Sequence, residues 1–114
     1  MGGLLSTTTR TRSTTAAIIN HSDADVTVTP IIRSVAQEVA TVEPHKQRLI
    51  TIPCESSKRT QEIDKLRFQI MKGGELIRRQ DININGLDLS PENLRFAVDP
   101  VSYIVNRLSP GQDG

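Results

Sequence analysis

The residues best suited to a defined chemical reaction stand at the N-terminus, which reads MGGLLS. This segment matches M-G-x-x-x-[ST], the acceptor pattern for N-myristoylation. Removal of Met1 would leave the unhindered α-amine of Gly2 for acyl transfer, and Ser6 supplies the hydroxyl that the pattern requires. A pattern with three fixed positions also arises by chance. The sequence therefore predicts lipidation at Gly2, with Ser6 as a recognition residue, and leaves an unmodified tail as the alternative.

The segment that follows is rich in Ser, Thr and Gly, and it has no acidic residue before Asp23. This composition predicts a flexible tail over residues 1–15. An Arg-bearing, acid-free segment is also typical of organelle presequences. That interpretation is disfavoured, because Ser and Thr have poor helix propensity and the segment has no apolar stripe.

One myristoyl chain binds a bilayer only marginally, so stable attachment requires a second signal. Arg10 and Arg12 lie nearest to Gly2, and residues 45–80 contain nine basic and four acidic residues between two acidic flanks. This basic middle segment could contact anionic headgroups, or its charges could simply neutralise the flanks after folding. The predicted membrane or partner contacts are Arg10, Arg12, Lys46, Arg48, Lys58, Arg59, Arg67, Arg78 and Arg79.

The histidines and the cysteine lack the spacing of a known reactive site. His21 lies in an Asn- and Asp-rich turn, His45 follows Pro44, and no zinc-ligand spacing occurs in the chain. Cys54 is close in sequence to Lys58 and Arg59, which could lower a thiol pKa, but no feature brings a histidine to it. We expect no metal, no cofactor and no enzymatic activity, with a cysteine-dependent enzyme as the least favoured alternative.

Length and composition narrow the class of protein. The 114 residues suit one domain, and only 3% are aromatic, so the core must consist mainly of Ile, Val and Leu. Such a thin core favours support from a protein partner or a second copy. A net charge of +1 does not favour nucleic acid. A single cysteine and the absence of a run of about 20 apolar residues predict a cytoplasmic protein that is at most peripheral to a membrane.

Alternating apolar residues predict strands over much of the chain. Val26 and Val28 alternate with threonines, residues 48–53 form a β-branched run that ends at a proline, and Leu94, Phe96 and Val98 alternate with Arg95 and Ala97. Turn signals about every ten residues predict a small antiparallel β-sandwich or barrel. The domain is expected over residues 16–109, with a disordered end at 110–114.

Three segments fit more than one secondary structure. Residues 60–72 fit either a helix, which would make the fold α+β, or a strand that enters a hairpin at Gly73-Gly74. We favour the hairpin, because in a helix Phe68 would not lie on the apolar face. Residues 31–42 are left open, and residues 101–108 fit a strand or a short helix. Ser90 and Pro91 predict a single helical turn.

These observations favour a non-catalytic adaptor or accessory protein that a myristoyl group tethers reversibly to a membrane, and a viral matrix-like role suits the size and the lipid signal. The alternative is a soluble interaction domain that self-associates through unpaired strand edges and does not use its tail. A protein partner is expected in both cases, although the sequence does not identify it.

Overall fold

The computed structural model describes residues 12–54, 63–84 and 90–109. Within these ranges the strands are β1 (Arg12–Asn20), β2 (Asp25–Ile32), β3 (Val35–Ala36), β4 (Ala40–Val42), β5 (Gln47–Cys54), β6 (Ile63–Lys72), β7 (Glu75–Asn83), β8 (Arg95–Val98) and β9 (Val105–Arg107). A 3₁₀ helix spans Pro91–Asn93, where the sequence predicts one helical turn. The all-β prediction is confirmed. The described part of the alternative helix at residues 60–72 is strand β6.

The strands form two sheets that pack face to face. Sheet A has the order β5-β1-β8-β9, and sheet B has the order β3-β2-β6-β7, with β4 also pairing with β2. Pairing is antiparallel except between β1 and β8, which are parallel. No ladder joins the two sheets among the described strands, so the architecture is a sandwich and not a closed barrel.

Alternation along the strands explains the core. On β6, Leu66, Phe68 and Ile70 are fully buried, while Arg67 and Gln69 between them face outward. Phe68 of sheet B meets Phe96 of sheet A with ring centroids 5.5 Å apart, which is within the range of favourable aromatic pairs. The rest of the core is aliphatic, as the composition predicts: Ala16, Ile18, Ala24, Val26, Val28, Val42, Ile50, Ile52, Ile84, Leu94, Val98 and Val105.

The β6–β7 hairpin turns at Gly73 and Gly74, as the sequence predicts. Their φ angles are 61° and 81°, and Lys72 pairs with Glu75 across the turn. Positive φ at two central residues is the geometry that matches the twist of a two-residue hairpin, and glycine adopts it without steric cost. The favourable turn and the pairing of β6 with β2 together outweigh the helix signals in residues 60–72.

A register shift changes the faces predicted for β7. The sequence pattern places Leu76, Ile82 and Ile84 on one face, and Ile84 is indeed buried while Ile82 packs against the core. Leu76 is 47% exposed, because the ladder shifts between Ile70 and Met71 and pairs Leu76 with Met71. A bulge of this kind leaves no clear trace in the apolar pattern.

One boundary differs from the sequence prediction. Strand β1 begins at Arg12, although the composition assigns residues 12–15 to the tail; Thr14 pairs with Ile52, and Thr15 with Thr51. Threonine favours strands, and the neighbouring β5 supplies a partner for these residues. Residues 1–11 and 110–114 lie outside the described ranges, so the flexible tail and the disordered end stay predictions.

The segment left open at residues 31–42 is extended. Strand β2 continues to Ile32, a turn follows at Arg33 and Ser34 with φ of 51° and 67°, and β3 and β4 then pair with the two ends of β2. The helical spacing of its valines therefore has no structural counterpart, and Val35 and Val39 are exposed.

Residues 101–108 form a turn followed by β9. One carboxylate oxygen of Asp99 accepts hydrogen bonds from the backbone N–H groups of Ser102 (2.7 Å) and Val101 (2.9 Å). These bonds hold the pKa of Asp99 below its ordinary value. By fixing the turn, Asp99 directs Val105 back against Val98, so the strand alternative holds for residues 105–107.

A buried amide joins the loops at one end of the sandwich. Asn20 is only 1% exposed, and its side-chain nitrogen donates to the carbonyl oxygens of Ala24 (2.7 Å), Glu43 (3.1 Å) and Val42 (3.2 Å). Its side-chain oxygen accepts from the hydroxyl and the backbone N–H of Ser22, at 2.6 and 3.0 Å. One side chain therefore satisfies polar groups of both the β1–β2 loop and the β4–β5 turn.

A second side chain joins the sheets along one edge. The Gln80 amide nitrogen on β7 donates to the carbonyl oxygen of Val105 on β9 (2.8 Å), and its oxygen accepts the Val105 N–H (2.9 Å). Gln80 thereby replaces the missing backbone ladder between the edge strands of sheets A and B. The N–H and C=O of Val105, a buried residue, are satisfied as a result.

Replacing the buried amide should destabilise the whole domain. Asn20→Ala removes a donor to the buried carbonyls of Ala24 and Val42 and the acceptor of the Ser22 hydroxyl and N–H, so we expect the free energy of unfolding to fall by about 3 kcal/mol. Urea unfolding measures this change. The control Asn106→Ala, at an exposed β9 position, should stay within about 0.5 kcal/mol of wild type. An equal effect of both substitutions would contradict the assigned role.

The link between the sheets can be tested in the same way. Gln80→Leu keeps most of the volume but leaves both backbone groups of Val105 unpaired, so we expect a loss of about 2 kcal/mol in urea unfolding. Gln69→Leu, the same change on the outer face of β6, is the matched control and should cost much less. If Gln80→Leu proves as stable as this control, the hydrogen bonds between Gln80 and Val105 contribute nothing to the free energy of unfolding.

Candidate interaction surfaces

Several predicted contact residues lie outside the described ranges. These are the lipidation residues Gly2 and Ser6, together with Arg10, Lys58 and Arg59. Arg12 is the first residue of β1, and its backbone pairs with that of Cys54 at the end of β5. The remaining predicted contacts are Lys46, Arg48, Arg67, Arg78 and Arg79, and all of these are described.

The structure divides the described basic residues between two distant edges. Lys46 immediately precedes β5, an edge strand of sheet A, and Arg48 is its second residue. Both lie on the side of β4. Arg78 and Arg79 lie on β7, an edge strand of sheet B on the side of β9. As neighbours in a strand, Arg78 and Arg79 point to opposite faces. The basic middle segment of the sequence therefore does not assemble these four residues into one continuous basic face.

Arg67 is neutralised on the outer face of sheet B. Its guanidinium donates to both carboxylate oxygens of Asp81, at 3.0 and 3.2 Å, and Lys65 approaches the same carboxylate at 3.4 Å. The hydrogen bonds from Arg67, and then from Lys65, hold the pKa of Asp81 below its ordinary value; the same bond raises the pKa of Arg67. This bidentate pair leaves Arg67 with little free charge for an anionic partner.

A shallow groove of about 550 Å³ surrounds this pair. Its floor is the buried side chain of Ile31, and its charged walls are Asp64 and Lys65 with Arg67 and Asp81. Two acidic and two basic groups give the groove no net charge. The Asp64 carboxylate is engaged by the Ser34 N–H at 3.0 Å. The geometry of this groove therefore favours no charged ligand.

A second charged cluster lies at the end of the sandwich that carries the hairpin tip. Asp23 accepts hydrogen bonds from Lys72 and from the Tyr103 hydroxyl, both at 2.9 Å. The Lys72 bond, followed by that of Tyr103, lowers the pKa of Asp23, and Asp23 in turn raises the pKa of Lys72. The cluster ties the β1–β2 loop to the β6–β7 hairpin and the β8–β9 loop, so its role is structural.

The histidines and the cysteine lie at opposite ends of the sandwich. His45 precedes β5, whereas Cys54 ends it, so the strand separates their backbones by about 25–30 Å. The backbone N–H of His21 donates to Val98 at the end where β5 begins. Among the described residues, no group of three or more His, Cys, Asp and Glu side chains is placed to hold a metal ion.

Strand β5 offers backbone hydrogen-bonding groups along its outer edge. Pro53 pairs with Ser13 and has no N–H, so this pair must be of the non-hydrogen-bonded kind. Alternation then directs the N–H and C=O of Thr51, Leu49 and Gln47 away from β1. The bond from the Asn20 N–H to the Lys46 carbonyl (2.9 Å) fits the same alternation. Within the described ranges, no strand pairs with this edge.

A cleft of about 240 Å³ with a mainly polar surface runs beside this edge, between β5 and the segment that enters β4. Val28, Pro30 and Ile50 form its buried floor, and the exposed Val39 and Leu49, at 55% and 70%, lie on its rim. The pattern of apolar residues in the sequence does not indicate this cleft. The signal for it is the proline at the end of the β5 run, because proline within a strand marks a sheet edge.

The comparisons add no relative from which a function could be transferred. Searches with protein-family models, against curated proteins and against solved structures find no match to this chain. Within the described residues, no helix is long and apolar enough to cross a membrane. The tail motif and the surfaces described above are therefore the features that bear on the function.

We expect the ion pair between Arg67 and Asp81 to make a pH-dependent contribution to the stability of the fold. A carboxylate with a lowered pKa in the folded state stabilises that state above the unfolded pKa of about 3.9, and the contribution is lost as the pH falls through the folded value. Asp81→Asn should therefore lower the free energy of unfolding at neutral pH by about 0.5 kcal/mol, since the pair is partly exposed.

Urea unfolding at neutral pH and again near about pH 3 checks this prediction, because the difference between Asp81→Asn and wild type should shrink in acid. Asp25→Asn is the control, since the described part of the chain shows no ion pair for Asp25. A difference for Asp81→Asn that stays constant with pH would show that the charge of Asp81 does not act through this pair.

Proposed function

We propose that this chain is a non-catalytic adaptor or accessory domain that a myristoyl group on Gly2 holds reversibly at the cytoplasmic face of a membrane. The observation that carries the proposal is the acceptor pattern MGGLLS, placed ten residues before the first strand of a β-sandwich. A lipid at that position would leave the folded domain free to bind a partner.

The spacing between lipid and domain suits a tether. Ten residues from Gly2 to Arg12 reach at most about 35 Å when fully extended, so the sandwich would stay close to the bilayer without entering it. Arg12 and Arg33 lie at the end of the sandwich where β1 begins and β2 ends. Each basic residue near an anionic surface adds about 1 kcal/mol to binding.

The division of the other basic residues between two edges favours weak attachment. One myristoyl chain gives a binding constant of only about 10⁴ M⁻¹, and a broad basic face would be needed to make it stable. With Lys46 and Arg48 on one edge and Arg78 and Arg79 on the other, only a few of these charges can meet one membrane at a time. Binding should therefore be reversible and sensitive to salt.

The separation of Cys54 from both histidines supports a non-catalytic role over the cysteine-dependent alternative. A nucleophile and its general base must lie within hydrogen-bonding reach of each other. Strand β5 instead places the Cys54 backbone far from His45 and His21. A thiol activated by one of these imidazoles would require the two ends of the sandwich to meet.

The test compares wild type with Gly2→Ala and Gly3→Ala in eukaryotic cells. Wild type and Gly3→Ala, which keeps the acceptor glycine, should lose Met1 and gain the mass of one myristoyl group in intact-mass spectra. Gly2→Ala cannot be acylated and should move from the membrane fraction to the supernatant. High salt should release part of the wild-type protein.

An unmodified Gly2, or a Gly2→Ala variant that stays with membranes, would overturn the proposal. The chain would then be interpreted as an interaction domain that does not use its tail.

A further inference from the structure

We propose that two copies of this chain pair through strand β5 in antiparallel orientation, so that sheet A continues across a two-fold axis as one eight-stranded sheet. The surface is the outer edge of β5 with the cleft beside it, and its partner is a second copy of the same chain. This inference goes beyond the membrane tether, because the pairing surface includes neither Gly2 nor any other residue of the tail.

The backbone of β5 is self-complementary in this orientation. The outward groups belong to Gln47, Leu49 and Thr51, and a two-fold axis at Ile50 sets Leu49 of one copy opposite Thr51 of the other. Both residues then exchange N–H and C=O bonds as a hydrogen-bonded pair. Gln47 meets Pro53, which has no N–H but still offers its carbonyl oxygen to the Gln47 N–H.

The apolar side chains also match in this register. Ile50 of one copy lies directly opposite Ile50 of the other on the cleft side, as a non-hydrogen-bonded pair whose side chains approach closely. On the outer face the two Leu49 side chains become diagonal neighbours, within reach of each other. Leu49 is 70% exposed in the single chain and would be covered. Cross-strand apolar pairs of this kind stabilise a sheet.

The charges identify a second copy as the occupant. Arg48 donates to the Thr41 carbonyl at 2.7 Å, which fixes the position of β4 along β5. Glu38, two residues before β4, lines the same cleft as Thr51, the neighbour of Ile52. The two-fold axis sets Arg48 of the second copy opposite Ile52. Each copy therefore brings its Arg48 beside the Glu38 of the other.

The same arrangement keeps like charges apart. The two Arg48 residues are four positions out of register, or about 14 Å along the strand, which exceeds the Debye length of about 8 Å at physiological ionic strength. A parallel arrangement of the two edges would bring the arginines side by side. Antiparallel pairing is therefore the one that the charges favour.

The first experiment measures the mass of the unacylated full chain by sedimentation equilibrium from micromolar to millimolar concentrations. Wild type should form dimers. Thr51→Pro removes an outward N–H that β1 does not use, at the same strand parity where Pro53 already occurs, and should raise the dimer dissociation constant at least tenfold. Thr51→Ala keeps the N–H and should dimerise like wild type. Circular dichroism and melting curves check that each variant is folded.

The second experiment reverses the charges. Arg48→Glu alone and Glu38→Arg alone should each dimerise more weakly than wild type, because like charges then meet across the axis. An equal mixture of the two variants should form heterodimers, since both cross-pairs become oppositely charged. The double variant should recover dimerisation. These results would not follow from a loss of folding or of the Arg48 bond to Thr41.

The proposal fails if wild type is monomeric throughout, which would leave the β5 edge to a strand from a different protein. It also fails if wild type dimerises and Thr51→Pro does not weaken the dimer, because the contact then lies elsewhere. Failure of the charge-reversed mixture to form heterodimers would overturn the register centred on Ile50. None of these outcomes bears on acylation of Gly2.

Discussion

The hydrogen bonds of Asn20 hold together the end of the molecule where the chain passes from one sheet to the other. Strand β1 belongs to sheet A and β2 to sheet B, so the loop between them must leave one layer and enter the next. The carbonyl groups of Ala24, Val42 and Glu43 lie beside that crossing. A single buried amide meets all three, and Ser22 completes its hydrogen bonds. Because the core has only one aromatic pair, the relative placement of the sheets relies strongly on this polar centre.

The two long edges of the sandwich differ in the hydrogen bonds that join the sheets there. Between β7 and β9, Gln80 supplies a donor and an acceptor that imitate a backbone ladder at Val105, so the two sheets are joined along this edge. Between β4 and β5, the corresponding link is one hydrogen bond from Arg48 to Thr41, which leaves alternate backbone groups of β5 facing outward. Exposed strand edges are templates for pairing unless they are blocked. Pro53 limits the β5 edge at one end only, and the proposed pairing uses the outward backbone groups of Gln47, Leu49 and Thr51.

The sequence predicts features that depend on neighbouring residues and fails for those that depend on topology. Alternation identifies β6 and β8, and the glycine pair identifies the hairpin, because both signals act within a few residues. Asn20 looks like an ordinary turn residue, since its carbonyl partners Val42 and Glu43 lie more than twenty positions away. The basic middle segment likewise resembles one face, yet strand order sends its ends to opposite edges. The cleft depends on β4 and β5 lying side by side, and the sequence signals only the sheet edge, through the proline at the end of the β5 run.

The proposed tether and the proposed pairing through β5 would compensate for each other's weakness. A single myristoyl chain gives marginal binding, and a short edge of β5 with one apolar pair on each face is a small interface. A dimer carries two tails, so once one lipid has entered a bilayer the second binds at a high effective concentration. Attachment to a surface in turn concentrates the chains and favours pairing. Neither interaction would then need to be strong alone. Membrane binding would depend on the concentration of the protein, whereas binding through a single tight anchor would not.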